Sequence, residues 1–497
     1  MTIEATPAGG TGPTPRHRAP ARALATLCGV EGWERFSFYG MQGVLLLYLY
    51  HSVGSGGLGL SQSTATGIVG AYGSAVYLST IAGAWLADRV VGKERVLFGS
   101  AVLIMLGHLS LAGVPGRAGL ALGLAAVATG SGALKANTTA VIGGLYRDDD
   151  VGRDAGFALF YLGVNIGSLF GPLLTGVLQV TWGFHAAFGA AAVGMALGLA
   201  QYTRGRRAFA AAFRSPPNPL SLRGRMVMAG AALLGVALVA ELVRTGILTA
   251  ANLNDVVLWV VVGSTVALFT VLLGSPRVTA RERRRVRGFV PMFLASTAFW
   301  ALSQQQFTVL TVYADQQLNR SLFGWQLPVA WIQSINPVFI VALSAVFAAG
   351  WTRLGDRQPS RPVKFALSNL IMGAAFLLFV PLASTRPNSV PLLPVVGILL
   401  LFSVAELLLS PVGLSVATAA APRAYGSQMV ALFYLSIALG TSLSGVLAGV
   451  YSTAHQIGYF TVLGLCSVLI GLALLAAARR TTTALAPSTH DTGGTWS

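Results

Sequence analysis

Runs of about 20 apolar residues, the length an α-helix needs to cross roughly 30 Å of hydrocarbon, recur along almost the whole of this chain. Fourteen such helices are predicted, over residues 27–51, 62–87, 94–113, 119–145, 154–180, 184–202, 225–245, 254–274, 288–317, 326–350, 363–383, 390–420, 426–451 and 455–478. A helix satisfies its own backbone polar groups, so it is a structure lipid tolerates. With hydrophobic residues at 54%, charged residues at 10% and a mean hydropathy of +0.69, the class is an all-α, multi-pass membrane protein. Residues 1–26 are rich in Pro, Gly, Ala and Thr and lack the apolar core of a signal peptide; they read as a disordered tail, with the first helix retained.

Basic residues set the orientation. Of 33 Lys and Arg, 27 fall in the two tails and the alternate loops that share their side, and four (Arg117, Arg244, Arg320, Arg386) fall opposite. The positive-inside rule places both termini in the cytoplasm and the protein in the cell (plasma) membrane. The net charge of +17 reads as topology plus contact with the anionic lipid bilayer; nucleic acid is not an expected partner. Cys28 and Cys466 form no disulfide framework. No histidine pair stands at i, i+4, no HExxH or GxSxG occurs, and Lys93 is followed by Glu94, so there is no phosphate-binding loop. No metal site, no cofactor and no enzyme activity is expected, and the chain has no means to hydrolyse nucleotide.

With the charges of the loops and of the segment ends next to them set aside, five remain inside apolar segments: Glu31, Glu34, Arg35, Lys135 and Glu406. Each costs about 2.5 to 3.5 kcal/mol at a helix centre on the insertion scale, so they are expected to face a bundle interior or a watery cavity and to pair. A structural ion-pair network would satisfy this; five charges on three helices favour a transport path. In "EGWERFSFYG", residues 31–40, Glu31, Glu34, Arg35, Phe38, Tyr39 and then Gln42 follow one helical face, with Glu31 four residues before Arg35 in the favourable order.

These residues resemble the ExxERFxYYG motif of the proton-dependent oligopeptide transporters of the major facilitator superfamily. "FYLGVNIGSLFGPLLTG" (160–176), "GSGALKANTTAVIGGLY" (130–146), "GAWLADRVVGKER" (83–95), "FWALSQQQ" (299–306), "QSINPVF" (333–339) and "ELLLSPVGLS" (406–415) resemble further family segments, in order. The resemblance implies a major facilitator fold: six-helix bundles over 27–203 and 288–478, a basic linker with an extra transmembrane hairpin over 204–287, and a cytoplasmic tail over 479–497. "GWTRLGDR" (350–357) echoes "GAWLADR" at the matching place in the second half, which fits parallel repeats with a site at their interface. Gly83, Asp88, Arg89, Gly92 and Arg95 would form a cytoplasmic gating loop.

A short peptide is a zwitterion, and a receptor indifferent to its side chains needs a cation, an anion and amides between them. Arg35 and Lys135 suit the carboxylate, Glu406 the amino group, and Asn165 and Asn336 the peptide bonds; the resemblance implies the same roles and adds Tyr39, Tyr77, Trp300 and Gln304 to the pocket. Lys135 is one of three lysines against thirty arginines, and it is the expected partner of Glu406 across the cavity. Three carboxylates against two cations leave one negative charge for a proton to neutralise. Burial disfavours ionised Glu31 and Glu34 while Arg35 favours it, so substrate that draws Arg35 away promotes proton uptake. The implied function is import of di- and tripeptides by a monomer, driven by the proton gradient, with short peptides and protons as its partners.

The sequence departs from the family pattern at three positions. Gln304 stands where a titratable glutamate is expected, Phe38 replaces the first tyrosine of the opening motif, and Phe433 replaces a tryptophan. Gln304 keeps open a second reading: a facilitator, or a carrier of another small metabolite or anion. A receptor or intramembrane enzyme is disfavoured, because no nucleophile and base pair can be assembled.

Overall fold

The structure, a computed structural model, describes residues 21–146, 152–209, 211–384 and 386–485. Helices α1 (Ala21–Tyr50), α2 (Gln62–Leu86), α3 (Lys93–Gly113), α4 (Gly116–Gly144), α5 (Gly152–Trp182) and α6 (Phe184–Gly205) pack on one another. Next come α7 (Leu222–Arg244) and α8 (Leu253–Gly274). The second half holds α9 (Ala280–Ser303), continued through a 3-10 turn (Gln304–Phe307) into α10 (Val309–Gln316), then α11 (Trp331–Leu354), α12 (Arg361–Leu377), α13 (Leu392–Ala420), α14 (Gly426–Gly449) and α15 (Gln456–Leu485). A two-residue hairpin, β1 (Ser321–Leu322) with β2 (Trp325–Gln326), follows α10 and turns through Phe323 and Gly324, both at positive φ.

Among the described residues, thirteen helices are long and apolar enough to cross a membrane, α9 to α10 counting as one span. The exception among the fourteen expected is α1, whose 30 residues suffice in length but whose polar stripe lowers its apolarity. It is wedged between α5 and α6. That protein environment takes the place of lipid around its charges.

Several expected boundaries shift. α1 begins at Ala21 and not at 27, on a run of helix-forming Ala, Leu and Arg. α9 begins at Ala280, because Thr279 and Glu282 form a reciprocal capping box that starts the helix inside the basic linker. α15 continues to Leu485, past the expected end at 478. The remainder of both tails, residues 1–20 and 486–497, lies outside the described residues.

Candidate functional site: a charged cavity between two helical halves

The halves meet on the side remote from the helix ends Ala21 and Leu485. Gly70 on α2 and Gly445 on α14 touch so closely that a Cβ built on Gly70 would lie 2.7 Å from the Cα of Gly445. One turn along, Ser74 Oγ donates to the carbonyl of Ala438 at 2.7 Å and meets Ser442 Oγ at 3.0 Å. On the opposite flank Trp331 Nε1 donates to Leu173 O at 2.9 Å and Ser334 Oγ to Leu169 O at 3.0 Å, joining α11 to α5. Each of these contacts sits in the far half of its helix.

Below this seal lies a cavity of about 290 Å³ bordered by Glu31, Arg35, Tyr39, Tyr77, Lys135, Asn165, Trp300, Gln304, Asn336 and Glu406. All nine residues expected to bind substrate are therefore brought together, with Glu31 beside them. The cavity continues past Thr139, Tyr161, Ile340 and Ser410. Each stands four positions, one helical turn, nearer the chain ends than Lys135, Asn165, Asn336 or Glu406. The opening is therefore toward the terminal side.

On α1, Arg35 donates from Nε and Nη2 to Glu31 Oε1 at 3.0 and 2.8 Å, and its Nε lies 3.0 Å from Glu34 Oε2. Helical spacing makes this cluster: Glu31 is one turn before Arg35, and Glu34 is adjacent. Glu34 departs from the expected stripe. Its side chain is fully buried, it does not border the cavity, and neither of its oxygens has a hydrogen-bond donor.

Lys135 on α4 sits with Nζ 5.0 Å from the centroid of the Tyr77 ring, a cation–π contact. Glu406 on α13 accepts from Asn336 Nδ2 at 3.1 Å, and Asn336 Oδ1 accepts from Ser403 Oγ at 2.5 Å. The expected Lys135–Glu406 pairing is corrected: both border the cavity, but Asn336, one helix over, reaches Glu406 instead. Asn165 donates to the carbonyl of Tyr161 at 2.7 Å, which leaves its own oxygen available. Trp300 Nε1 is buried without an acceptor.

Gln304 caps α9 where the backbone tightens into the 3-10 turn, beside Arg35, Tyr39 and Lys135 on the wall of both the main cavity and a smaller one of about 50 Å³ toward the seal. Phe38 stacks on Tyr72, 5.9 Å between centroids, and carries the Arg35 guanidinium 5.7 Å from its own ring centre. Phe433 is buried in contact distance of Gly413.

The expected gating loop is mostly helical. Gly83 lies within α2, where it lets α4 approach: a Cβ there would fall 2.4 Å from the Cα of Ala133. Asp88 and Arg89 lie in a π-helical turn (Ala87–Val91), Gly92 takes φ +91°, and Arg95 is in the first turn of α3. The carbonyls of Asp88 and Arg89 accept from Asn218 N and Leu220 N at 3.0 and 2.9 Å, so the segment before α7 straps this turn.

A second polar cluster had not been anticipated. Asp315 at the end of α10 accepts from Tyr50 OH, lies 3.0 Å from His51 Nε2 at the end of α1, and is 3.9 Å from Arg320 Nη2. Helix ends hid it, since Asp315 lies two residues from the end of the expected 288–317 span and Arg320 in the loop beyond it. The pairing of "YH" with "YAD" at two helix ends on the same side was the available signal.

Two helical halves closing over a charged central cavity, sealed on one side and open on the other, define a multi-pass membrane protein of the transporter class. The chain belongs to the POT family, whose profile it matches over residues 94–463. It is 39% identical to the "Uncharacterized transporter YclF" of Bacillus subtilis over 457 residues, covering 91% of this chain and 93% of that protein. It is 36% identical to the "Di-/tripeptide transporter" of Lactococcus lactis subsp. cremoris over 471 residues, covering 91% and 94%. A crystal structure of a peptide transporter POT, a glutamate-to-glutamine mutant in complex with alafosfalin, superposes with a TM-score of 0.89 at 39% identity, over 93% of this chain and 95% of that one. The major facilitator fold expected from the sequence is thereby borne out.

Proposed function

We propose that this protein is a peptide transporter that imports di- and tripeptides together with protons by alternating access. One observation carries the reading: a single cavity holds Arg35 and Lys135 on the first half and Glu406 on the second, opposite charges facing each other across the space a zwitterion would fill. The cations hold the peptide carboxylate, Glu406 the amino group, and Asn165 and Asn336 the peptide bond, while Tyr39, Tyr77, Trp300 and Gln304 shape the walls. Asn336 has a second task, holding the Glu406 carboxylate in place. The relatives named for di- and tripeptides support this substrate class.

With both termini in the cytoplasm of a cell-membrane protein, the sealed side is extracellular and the cavity faces inward. The bundles 27–203 and 288–478 rock about the site, and the Asp88–Gly92 turn with Arg95 and the Gly83 contact governs closure on the cytoplasmic side. A proton reaching Glu31 or Glu34 from outside weakens their hold on Arg35 and frees it for the peptide carboxylate. The gradient drives the cycle without a cofactor, and one chain encloses the whole path, so a monomer suffices.

Competition tests the substrate orientation. In proteoliposomes, N-acetylated dialanine is expected to compete with labelled dialanine at least tenfold less well than the free dipeptide. Equal competition would remove Glu406 from amino-group recognition.

A further inference from the structure

The hairpin α7–α8 stands largely apart from the halves. None of α7 is buried, and α8 docks through a narrow stripe, Asn254, Val261, Thr265 and Leu272. Asn254, near the start of α8 on the sealed side, is the member of that stripe that reaches the seal. It is 4% exposed, and its Nδ2 donates to the carbonyl of Ser442 on α14 at 3.0 Å. Its other end points at α2. A Cβ on Gly70 would lie 3.1 Å from Asn254 Oδ1, and one on Gly67 3.6 Å from Asn254 Cβ. Oδ1 is buried without a hydrogen-bond donor.

We propose that Asn254 makes the extracellular seal reversible, giving the inserted hairpin a part in the transport cycle. The amide is tied to α14, so it stays with the second half when α2 moves away. In the sealed state its oxygen faces α2 at Gly70 and its Cβ faces Gly67, and neither glycine offers a side-chain donor. Once α2 separates, water reaches that oxygen. A buried polar group that lacks a partner destabilises the state that buries it, so Asn254 tilts the equilibrium toward opening and offsets the tight Gly70–Gly445 and Ser74–Ser442 contacts beside it. Asn254 is a positioning residue: it touches neither cavity. The inference rests on the alternating-access reading.

The test is electron-electron distance spectroscopy on the full chain in proteoliposomes. Spin labels go on Ser63→Cys, at the outer end of α2, and Ala454→Cys, beyond α14, with Cys28 and Cys466 changed to serine. Asn254→Leu, with the same branching but larger, and Asn254→Ala, smaller, both remove the oxygen. Each is expected to lower the long-distance, outward-open population at least threefold and to slow dialanine uptake in parallel, whereas Trp259→Ala, on the lipid side of the same helix, leaves the distances unchanged. An unchanged or larger open population in both folded Asn254 variants would overturn the proposal, as would an equal shift in Trp259→Ala. Dialanine uptake by the unlabelled wild type checks the transport reading separately: its absence would count against that reading whatever the distances show.

Discussion

The guanidinium of Arg35 donates twice to a single oxygen of Glu31, at 3.0 and 2.8 Å, while it meets the neighbouring Glu34 as an ion pair at 3.0 Å without a hydrogen bond. The two acids are therefore unequal partners. In Glu31→Gln the guanidinium still donates but the carboxylate charge that holds it is gone, so the grip on Arg35 weakens without a proton. Gradient-driven accumulation of dipeptide is expected to fall at least tenfold in Glu31→Gln and in Glu34→Gln, while exchange of internal for external peptide persists. Uptake and counterflow in proteoliposomes check this; full accumulation in both variants would take the proton site away from α1.

Lys135 meets an aromatic face and no carboxylate among the described residues. Its charge is thus free for an incoming anion. Lys135→Ala is expected to abolish dipeptide uptake at normal expression and folding, and Asn336→Leu, which strips Glu406 of its donor, to raise the KM for dialanine roughly tenfold, in line with the loss of one hydrogen bond to a charged group. Retained uptake in Lys135→Ala would exclude it from the mechanism.

At Gln304 no proton can be held. In the proposed mechanism the coupling proton then resides on Glu31, Glu34 or Glu406, and uptake is expected to rise only gently as external pH falls. Gln304→Glu adds a carboxyl on the wall beside Arg35 and Lys135. Its protonation by the outer medium adds a further titrating site, so the rise toward acid pH is expected to steepen. Uptake rates between pH 5 and 8 measure it, and identical profiles would contradict the assignment.

Much of this was legible in the sequence. The apolar runs gave the helices, and the three charged positions that lipid cannot tolerate (the 31–35 cluster, Lys135 and Glu406) marked the cavity that the structure encloses. Pairing across helices was not legible, because it depends on which rotamers reach: Asn336 rather than Lys135 holds Glu406. Glu34 belongs to the same stripe as Arg35 by period, yet it turns into the bundle, since a residue adjacent to Arg35 is about 100° away around the helix. Asp315 with His51, and Asn254 with Gly70 and Gly445, were hidden for a common reason. Polar residues at helix ends read as loop chemistry until the helices are packed.

Gly83 gives a stability test away from the cavity. With Ala133 only 2.4 Å from where its Cβ would stand, Gly83→Val must force α2 and α4 apart. Overpacking of this kind costs about 1 to 3 kcal/mol. The thermal midpoint of the detergent-solubilised protein is expected to drop by several degrees, whereas Gly99→Val, where no atom lies within 4 Å, leaves it unchanged.

The most direct measurement is uptake of labelled dialanine by purified protein in liposomes, with and without an inward proton gradient. Proton-coupled import requires accumulation above the external concentration when the gradient is present, collapse of that accumulation on adding a protonophore, and equilibration only when no gradient exists. Uptake that stops at equilibrium under every condition would contradict coupling and leave a facilitator, and no uptake at all would contradict peptide transport itself.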